Sequence, residues 1–204
     1  MRKYLIPAAL IALTGGTALV AQMPTAAPGS KDPAKVSGGT YKVEPGHTQI
    51  LFAYDHMGFT NNLGIVTQPS GTLVLDKANP SADKVSIEVP IANLTTGIPA
   101  LNEHLLKPEF FDAAKFPTAK FQSTAVKVEG TSATITGNLT IKGITKPVTL
   151  DAEFYGAGAN PMNKQENVGF VATAQIKRSD FGMGYGVPVV GDAIELKIIA
   201  AFVK

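Results

Sequence analysis

Residues 168–177 have the sequence VGFVATAQIK, and this stretch decides the fold. Apolar side chains recur at every second position from Val168 to Ile176, and the positions between them are glycine or polar except for Val171. Successive side chains of a β-strand point to opposite faces of the sheet, so a period of two indicates a strand with one apolar face. A helix would need a period of 3.6. The segment is therefore predicted to be a strand.

The same period dominates the chain from Thr40 onward. Predicted strands cover residues 48–57, 71–76, 84–91, 118–129, 132–141, 148–155, 168–177 and 194–202. Most of them are linked by short segments rich in glycine, asparagine or proline, which favour tight turns. About eight one-sided strands joined in this way are typical of an antiparallel barrel or sandwich.

One segment departs from this pattern, and a short helical insertion is predicted over residues 99–113. Pro99 suits the first turn of a helix, Leu101 and Leu105 lie one turn apart, and Pro108 ends the helix. A second short turn is predicted through Asp112. A connection of this size between two strands is typical of a lid or a rim, and it equally suits a plug in an open barrel end.

Composition excludes several classes of protein. The 204 residues are 45% hydrophobic and 17% charged, which excludes a disordered chain and a multi-span membrane protein. There is no cysteine, so disulfides and thiolate metal sites are excluded. The charge excess comes from Arg2 and Lys3, since the rest of the chain carries 16 basic and 16 acidic residues (18 − 2 against 16). A neutral body argues against nucleic-acid binding.

The N-terminus predicts export. Residues 1–21 combine a short basic start with an apolar run and small residues near Ala21, as a cleaved signal peptide does. An uncleaved membrane anchor is the alternative, which Pro7 and the Gly15–Gly16 pair disfavour. Residues 22–39 are rich in proline and glycine and are predicted to be a flexible leader to a domain over residues 40–204. The expected location is the periplasm or the medium.

The sequence lacks a set of residues that indicates catalysis. His47 and His56 flank one predicted strand, about 30 Å apart at roughly 3.3 Å per residue, and His104 has no second histidine at helical spacing. No nucleophile motif with its companion residues is present. We therefore predict no metal site, no cofactor, no catalytic residues and no enzymatic activity.

Four blocks of the sequence resemble a known family. They are YKVEPGHT (41–48) with Phe52 and His56; His104-Leu105 with Phe110-Phe111-Asp112 and Phe116-Pro117; GNLTIKGITKPV (137–148); and RSDFGM (178–183). In this order they resemble the YceI-like family of exported lipid-binding proteins, over residues 40–204. The resemblance implies a lipocalin-like, eight-stranded antiparallel barrel that binds polyisoprenoid-type or other long amphiphilic lipids in its cavity.

The resemblance and the strand pattern together predict which residues contact the ligand. The predicted ligand-binding residues are Ile50, Phe52, Tyr54, His56, Leu105, Phe110, Phe111, Phe121, Phe170, Ala172, Arg178 and Met183. The expected partner is a long-chain isoprenoid or another amphiphilic lipid, held for carriage or sequestration. A transient membrane contact and a homodimer are compatible with this hypothesis.

Two other functions stay open at this point. The first is an exported, stress-related structural barrel whose interior is packed shut. The second is a hydrolase that uses His56, His104 and Arg178 at the barrel mouth. The absence of a nucleophile motif disfavours the hydrolase. The sequence does not separate a carrier from a packed barrel, because side chains that line a cavity and side chains that fill a core follow the same pattern.

Overall fold

One-sided strands build most of the described part of the chain, which in this computed structural model is residues 26–204. The predicted signal peptide, residues 1–21, lies outside the described residues. The strands are β1 (Gly39–Val43), β2 (Gln49–His56), β3 (Thr60–Thr67), β4 (Ser70–Leu75), β5 (Lys84–Pro90), β6 (Leu94–Thr95), β7 (Thr118–Glu129), β8 (Ser132–Ile141), β9 (Ile144–Ala159), β10 (Glu166–Lys177) and β11 (Val190–Val203). One α-helix, α1 (Pro99–Leu105), interrupts the series.

These segments form an eight-stranded closed antiparallel barrel. Three of its strands are bent and consist of two segments each. β1 and β2 both pair with β11, β3 and β4 pair with β2 and β1, and β5 and β6 pair with β4 and β3. Each strand lies beside the next one along the chain, and β11 closes the ring against β1 and β2. The predicted fold class is therefore confirmed.

Thr48 keeps the ladder continuous where β1 and β2 are interrupted. Its side chain is buried, and its hydroxyl accepts a hydrogen bond from the Ala201 N–H at 3.0 Å and donates to the Glu44 carbonyl at 2.8 Å. The Glu44 N–H donates to the Ala201 carbonyl at 2.8 Å. Buried backbone groups need such partners, so a side chain here replaces a missing ladder bond.

The up-and-down topology gives the barrel two different ends. The helix end carries α1, the β2–β3 turn (57–59), the β8–β9 turn (142–143) and the loop 178–189 that precedes β11. The opposite end carries the N-terminal segment 26–38, the connection 76–83, the β7–β8 turn (130–131), the β9–β10 turn (160–165) and Lys204. Within residues 26–204, no helix has the length and apolar character that a membrane span requires.

The sequence analysis missed three strand segments: β1, β3 and the two-residue β6. β3 has the sequence TNNLGIVT, in which two asparagines and a glycine interrupt the apolar period. Pairing with β2 along all eight of its residues makes it a strand despite this composition. β9 is also longer than predicted, because residues 144–147 pair with β8 and continue the strand.

The helical insertion is fixed by polar contacts at both of its ends. The Asn102 side chain accepts hydrogen bonds from the Thr96 N–H at 2.7 Å and the Thr96 hydroxyl at 2.8 Å, before the helix begins. After the helix, Lys142 of the β8–β9 turn donates to the Pro108 carbonyl at 2.6 Å and the Gly182 carbonyl at 3.2 Å. α1 ends at Leu105, and turns follow through Asp112, close to the predicted bounds.

The segment predicted to be a flexible leader differs from that expectation over residues 30–39. Ser30 pairs with Ala157, and Val36 is only 8% exposed. The Ser37 N–H and hydroxyl both donate to the Glu166 carboxylate, at 2.7 and 2.5 Å. Proline and glycine do not prevent order here, because a partner carboxylate and an apolar pocket at the barrel end hold the segment.

Arg178 anchors the loop that leads into β11. The residue is 6% exposed, and its guanidinium donates four hydrogen bonds, to the carbonyls of Gly191 (2.9 Å), Met183 (2.6 Å), Tyr185 (2.7 Å) and Val190 (2.8 Å). Burial lowers the pKa of the guanidinium, and the nearby Asp192 carboxylate acts against that shift. The loop around the helix end of the barrel is therefore organised by one buried cation.

We predict that the Glu166 carboxylate stabilises the fold in a pH-dependent way. Burial alone would raise its pKa, but hydrogen bonds from Ser37 and Tyr41 and the charge of Lys204 hold the pKa below its usual value. A lowered native pKa gives stabilisation that is complete above the unfolded value of about 4.3 and is lost as the pH falls through the native pKa. Glu166→Gln is expected to cost about 1 kcal/mol at pH 7.

Urea unfolding of the parent and Glu166→Gln at pH 7 and pH 3 measures this difference. The gap between the two proteins should shrink on acidification. Glu195→Gln, at an exposed position of β11, is the control and should leave the free energy of unfolding nearly unchanged at both pH values. A gap that is the same at both pH values would contradict the assignment.

Removing the Arg178 side chain should destabilise the fold strongly. Arg178→Met removes the donors of four carbonyl oxygens at the start of β11 and in the loop before it. We therefore expect the free energy of unfolding to fall by about 3 kcal/mol or more. The matched control is Lys177→Met, at the exposed preceding residue, which should change stability by no more than about 0.5 kcal/mol. Urea denaturation measures both variants, and equal stabilities would show that the loop does not depend on Arg178.

Candidate functional site

A cavity of about 800 Å³ occupies the interior of the barrel. Its wall is mostly aliphatic and aromatic, and its lining extends from Ile98 and Leu105 at the helix end to Asp83 and Ser132 at the opposite end. The interior is therefore not packed shut. Its size lies within the range of about 300–1,000 Å³ that is typical of ligand pockets.

All twelve residues predicted to contact a ligand line this cavity. They are Ile50, Phe52, Tyr54, His56, Leu105, Phe110, Phe111, Phe121, Phe170, Ala172, Arg178 and Met183. The alternating faces of β2 and β10 bring the first four and the Phe170–Ala172 pair to the inner wall, and the helical insertion supplies Leu105, Phe110 and Phe111. Their contact with a ligand stays a prediction.

Two phenylalanines lie against the wall because glycines face them. A Cβ atom added to Gly64 would stand 2.0 Å from the Cζ atom of Phe52, and one added to Gly137 would stand 2.4 Å from the Cζ atom of Phe121. Each ring therefore covers a glycine on the neighbouring strand instead of pointing across the barrel. The glycines thus help to keep the centre of the barrel open.

Polar side chains in the lining near the helix end include Tyr54, His56 and Asn62. Tyr54 and Asn62 are directly opposite each other on β2 and β3, and His56 follows two positions after Tyr54 on the same face. The Thr60 hydroxyl donates to the Asn62 side-chain oxygen at 2.9 Å. The Tyr54 ring also stacks near Phe52, with centroids 6.5 Å apart. This patch offers a hydroxyl, an imidazole and an amide to a polar group in the cavity.

Arg178 is part of the lining, but its guanidinium is engaged elsewhere. Its four hydrogen bonds go to backbone carbonyls of the loop and of β11. A phosphate or carboxylate is usually held by a free pair of parallel N–H groups from arginine. The geometry therefore makes Arg178 a support of the cavity wall more than a cation for a ligand.

The histidines do not assemble into one site. His104 is not part of the cavity lining and lies 3.6 Å from the Glu109 carboxylate, with its ring near those of Phe110 (5.0 Å) and Tyr185 (6.1 Å). His47 is exposed and pairs with Glu44 at 2.5 Å. Burial alone would raise the pKa of the Glu44 carboxyl, but the hydrogen bonds from His47 and the Gly46 N–H hold the pKa below its usual value. In residues 26–204 there is no cluster of three histidine or carboxylate side chains that could hold a metal.

The sequence analysis missed part of the cavity wall. Asn62, Gly64 and Val66 on β3 face inward with Tyr54 and Phe52, but β3 was not recognised as a strand. The inner residues of β11 were recognised as one apolar face without being proposed as ligand contacts: Ile194, Leu196, Ile198, Ala200 and Phe202. Asn62, Gly64 and Val66 stand at alternating positions, and this spacing is the signal from which the inner face of β3 could have been predicted.

Comparisons with known proteins agree with this architecture. A model of the YceI-like domain matches residues 41–202. Protein YceI from Salmonella arizonae is 39% identical over 160 residues, which cover 78% of this chain and 83% of that protein. The crystal structure of BcnA from Burkholderia cenocepacia superposes with a TM-score of 0.70 at 24% identity, over 78% of this chain and 98% of that one.

A polyisoprenoid binding domain from Saccharophagus degradans has the same fold, with a TM-score of 0.59 at 12% identity over 80% of this chain and 97% of that one. The family model spans most of the described residues, and the Salmonella relative is 39% identical over most of both chains. The resemblance found in the four sequence blocks is thereby confirmed, and the chain belongs to the YceI-like family.

Proposed function

We propose that this protein is an exported binding protein that holds a long-chain polyisoprenoid or a similar amphiphilic lipid in its barrel, for carriage or sequestration. The observation that carries the proposal is the cavity of about 800 Å³, whose wall is mostly apolar and whose polar side chains lie near its two ends. The polyisoprenoid binding domain of the same fold supports the choice of ligand class. The proposed location is the periplasm or the medium, after removal of the signal peptide.

The energetics favour a ligand with a long apolar tail. Burying a five-carbon isoprene unit contributes about 4 kcal/mol, at roughly 0.8 kcal/mol per carbon group removed from water. Several units in this cavity would bind strongly without any specific polar contact. The polar patch formed by Tyr54, His56 and Asn62 then receives the polar group of the amphiphile at the helix end.

The two alternatives are less well supported by the geometry. A structural barrel without a ligand would have a packed interior, and this interior holds a cavity. The hydrolase hypothesis needs His56, His104 and Arg178 to act together, but His104 is not part of the cavity lining and Arg178 donates to backbone carbonyls. Transient membrane contact and a homodimer remain predictions.

The first expected outcome is a co-purifying lipid. Protein exported by its native host should carry an organic molecule with a long apolar tail, because a cavity with this apolar wall is unfavourable when exposed to water. Mass spectrometry of an organic extract identifies it. The variant Ala172→Trp, purified in parallel, gives the background. An extract of the parent with no organic molecule above that background would count heavily against the carrier hypothesis.

A single substitution on the inner wall tests the cavity directly. Ala172 lines the cavity between its paired neighbours Ala152 on β9 and Ile198 on β11, while Thr173 is exposed on the outer face. Ala172→Trp places an indole in the space proposed for the ligand, so lipid binding should fall at least tenfold. The change in stability should stay below the roughly 1–3 kcal/mol that overpacking of a filled core costs.

Thr173→Trp is the matched control and should leave binding nearly intact. The parent has no tryptophan, so each variant also reports the surroundings of its one indole by fluorescence. Lipid binding is measured by titration, and stability is measured by urea unfolding. If Ala172→Trp binds lipid as tightly as the parent, the cavity is not the binding site.

A further inference from the structure

The helix end of the barrel presents exposed apolar side chains on its loops. Met57, Phe59, Ile98, Tyr185 and Val189 are between 49% and 82% exposed, and we call them the apolar rim. Single exposed apolar residues are ordinary, but a group of large ones at one end of a molecule marks a surface that contacts another apolar phase.

The apolar rim is continuous with the cavity. Ile98 belongs to the rim and also lines the cavity. Met57 directly follows His56, and Val189 directly precedes Val190; both of these neighbours are part of the lining. The rim therefore borders the cavity at the helix end.

The loops that carry the rim are held in place. The Met57 N–H donates to the Val189 carbonyl at 3.1 Å, which joins the β2–β3 turn to the loop before β11. The Tyr185 carbonyl accepts from Arg178 at 2.7 Å, and the Tyr185 ring lies 5.8 Å from that of Phe110. The exposure of these side chains is thus a feature of a fixed surface and does not come from a fraying terminus.

The placement of the rim residues on separate loop tips favours a lipid bilayer over a folded partner as the surface they contact. Its residues lie on three separate connections: the β2–β3 turn, the residue before α1 and the loop before β11. Stable protein interfaces need about 1,000 Å² of complementary surface, whereas separate loop tips enter the interface of a bilayer without a matching shape. Aromatic side chains such as Phe59 and Tyr185 are favoured at that depth.

We propose that the apolar rim is a membrane-contact surface, through which the amphiphile passes between a bilayer and the cavity without crossing water. This inference rests on the proposed function. Contact by insertion of apolar side chains depends little on salt, unlike contact through basic residues. The contact is therefore expected with phosphatidylcholine vesicles, which carry no net charge.

The opposite end provides a matched control. Met162 on the β9–β10 turn is 91% exposed and is therefore as accessible as any rim residue. Tyr155 at the same end is 64% exposed, and the Lys31 ammonium lies 3.5 Å from the centroid of its ring. Met162 stands outside the rim and the cavity lining, so its substitution changes neither surface.

Fluorescence tests whether the rim enters a bilayer. Because the chain has no tryptophan, Phe59→Trp and Met162→Trp each introduce one reporter. Phosphatidylcholine vesicles should shift the emission of Phe59→Trp to the blue, at low and at high salt, and should leave that of Met162→Trp unchanged. An unchanged Phe59→Trp spectrum, or equal shifts in both variants, would overturn the proposal.

Delivery kinetics separate the rim from the cavity. The double variant Phe59→Ser/Val189→Ser should bind farnesol supplied from cyclodextrin with the affinity of the parent, but take it up from phosphatidylcholine vesicles at least tenfold more slowly. Met162→Ser should behave like the parent in both assays. Equal uptake rates from vesicles for the double variant and the parent would contradict the role of the rim.

Two further outcomes have distinct meanings. If the parent binds no farnesol and carries no lipid, the proposed carrier function fails, while the Phe59→Trp spectrum still decides whether the rim enters a bilayer. If analytical ultracentrifugation shows a dimeric parent and a monomeric Phe59→Ser/Val189→Ser variant, the rim is covered by a second copy of the chain. That result would overturn the membrane-contact surface.

Discussion

Closure of the sheet through β11 is the constraint on which the rest of the molecule depends. β11 pairs with β10 from Ala193 to Val203 on one side and with β2 and β1 on the other. A closed ring has no free edge, so each strand has two neighbours and every second side chain faces the interior. The Thr48 hydroxyl carries this closure across the break between β1 and β2. Without that side chain, the ladder would be interrupted at a buried position.

Once the ring is closed, the identity of the inner residues decides whether it is filled or hollow. A ring of eight strands has room for its own side chains or for one slender ligand. Here, Phe52 and Phe121 lie over glycines of neighbouring strands, and Ala172 faces Ala152. The large side chains therefore lie along the wall, and the small ones leave space in the interior. The apolar surface around this space would be buried favourably against a ligand.

The period of two predicted one-sided strands of an antiparallel barrel or sandwich, and the family resemblance selected the eight-stranded barrel. Neither of them specified which residues of neighbouring strands pair. β10 and β11 were predictable because their apolar alternation is nearly unbroken, whereas β3 is a strand only because β2 lies beside it. The contact between Phe52 and Gly64 depends on strand register, which one sequence does not specify. The same holds for Ser37 and Glu166, which are 129 positions apart and order a segment whose composition is typical of a flexible leader.

Arg178 shows the same limit for the candidate site. A lone arginine in a family motif at the end of an apolar strand suggests a contact with a polar ligand. The structure surrounds its guanidinium with four carbonyl oxygens from a loop whose path follows only from the closed fold. Its hydrogen bonds fix the loop that borders the cavity at the helix end, and the spacing of residues along the chain does not show this role.

Polar side chains lie near both ends of the cavity, and the wall between them is mostly apolar. Asp76, Lys77 and Asp83 belong to the lining at the end opposite the helix. With Arg178 engaged by carbonyls, the hydroxyl of Tyr54, the ring of His56 and the amide of Asn62 are the groups at the helix end that a polar head would meet. Each hydrogen bond contributes about 1 kcal/mol, whereas each buried isoprene unit contributes about four times as much. Affinity therefore follows the length of the tail, and the polar side chains at the two ends contribute less. A site built in this way discriminates weakly between head groups and strongly between tails that fit the cavity and tails that do not.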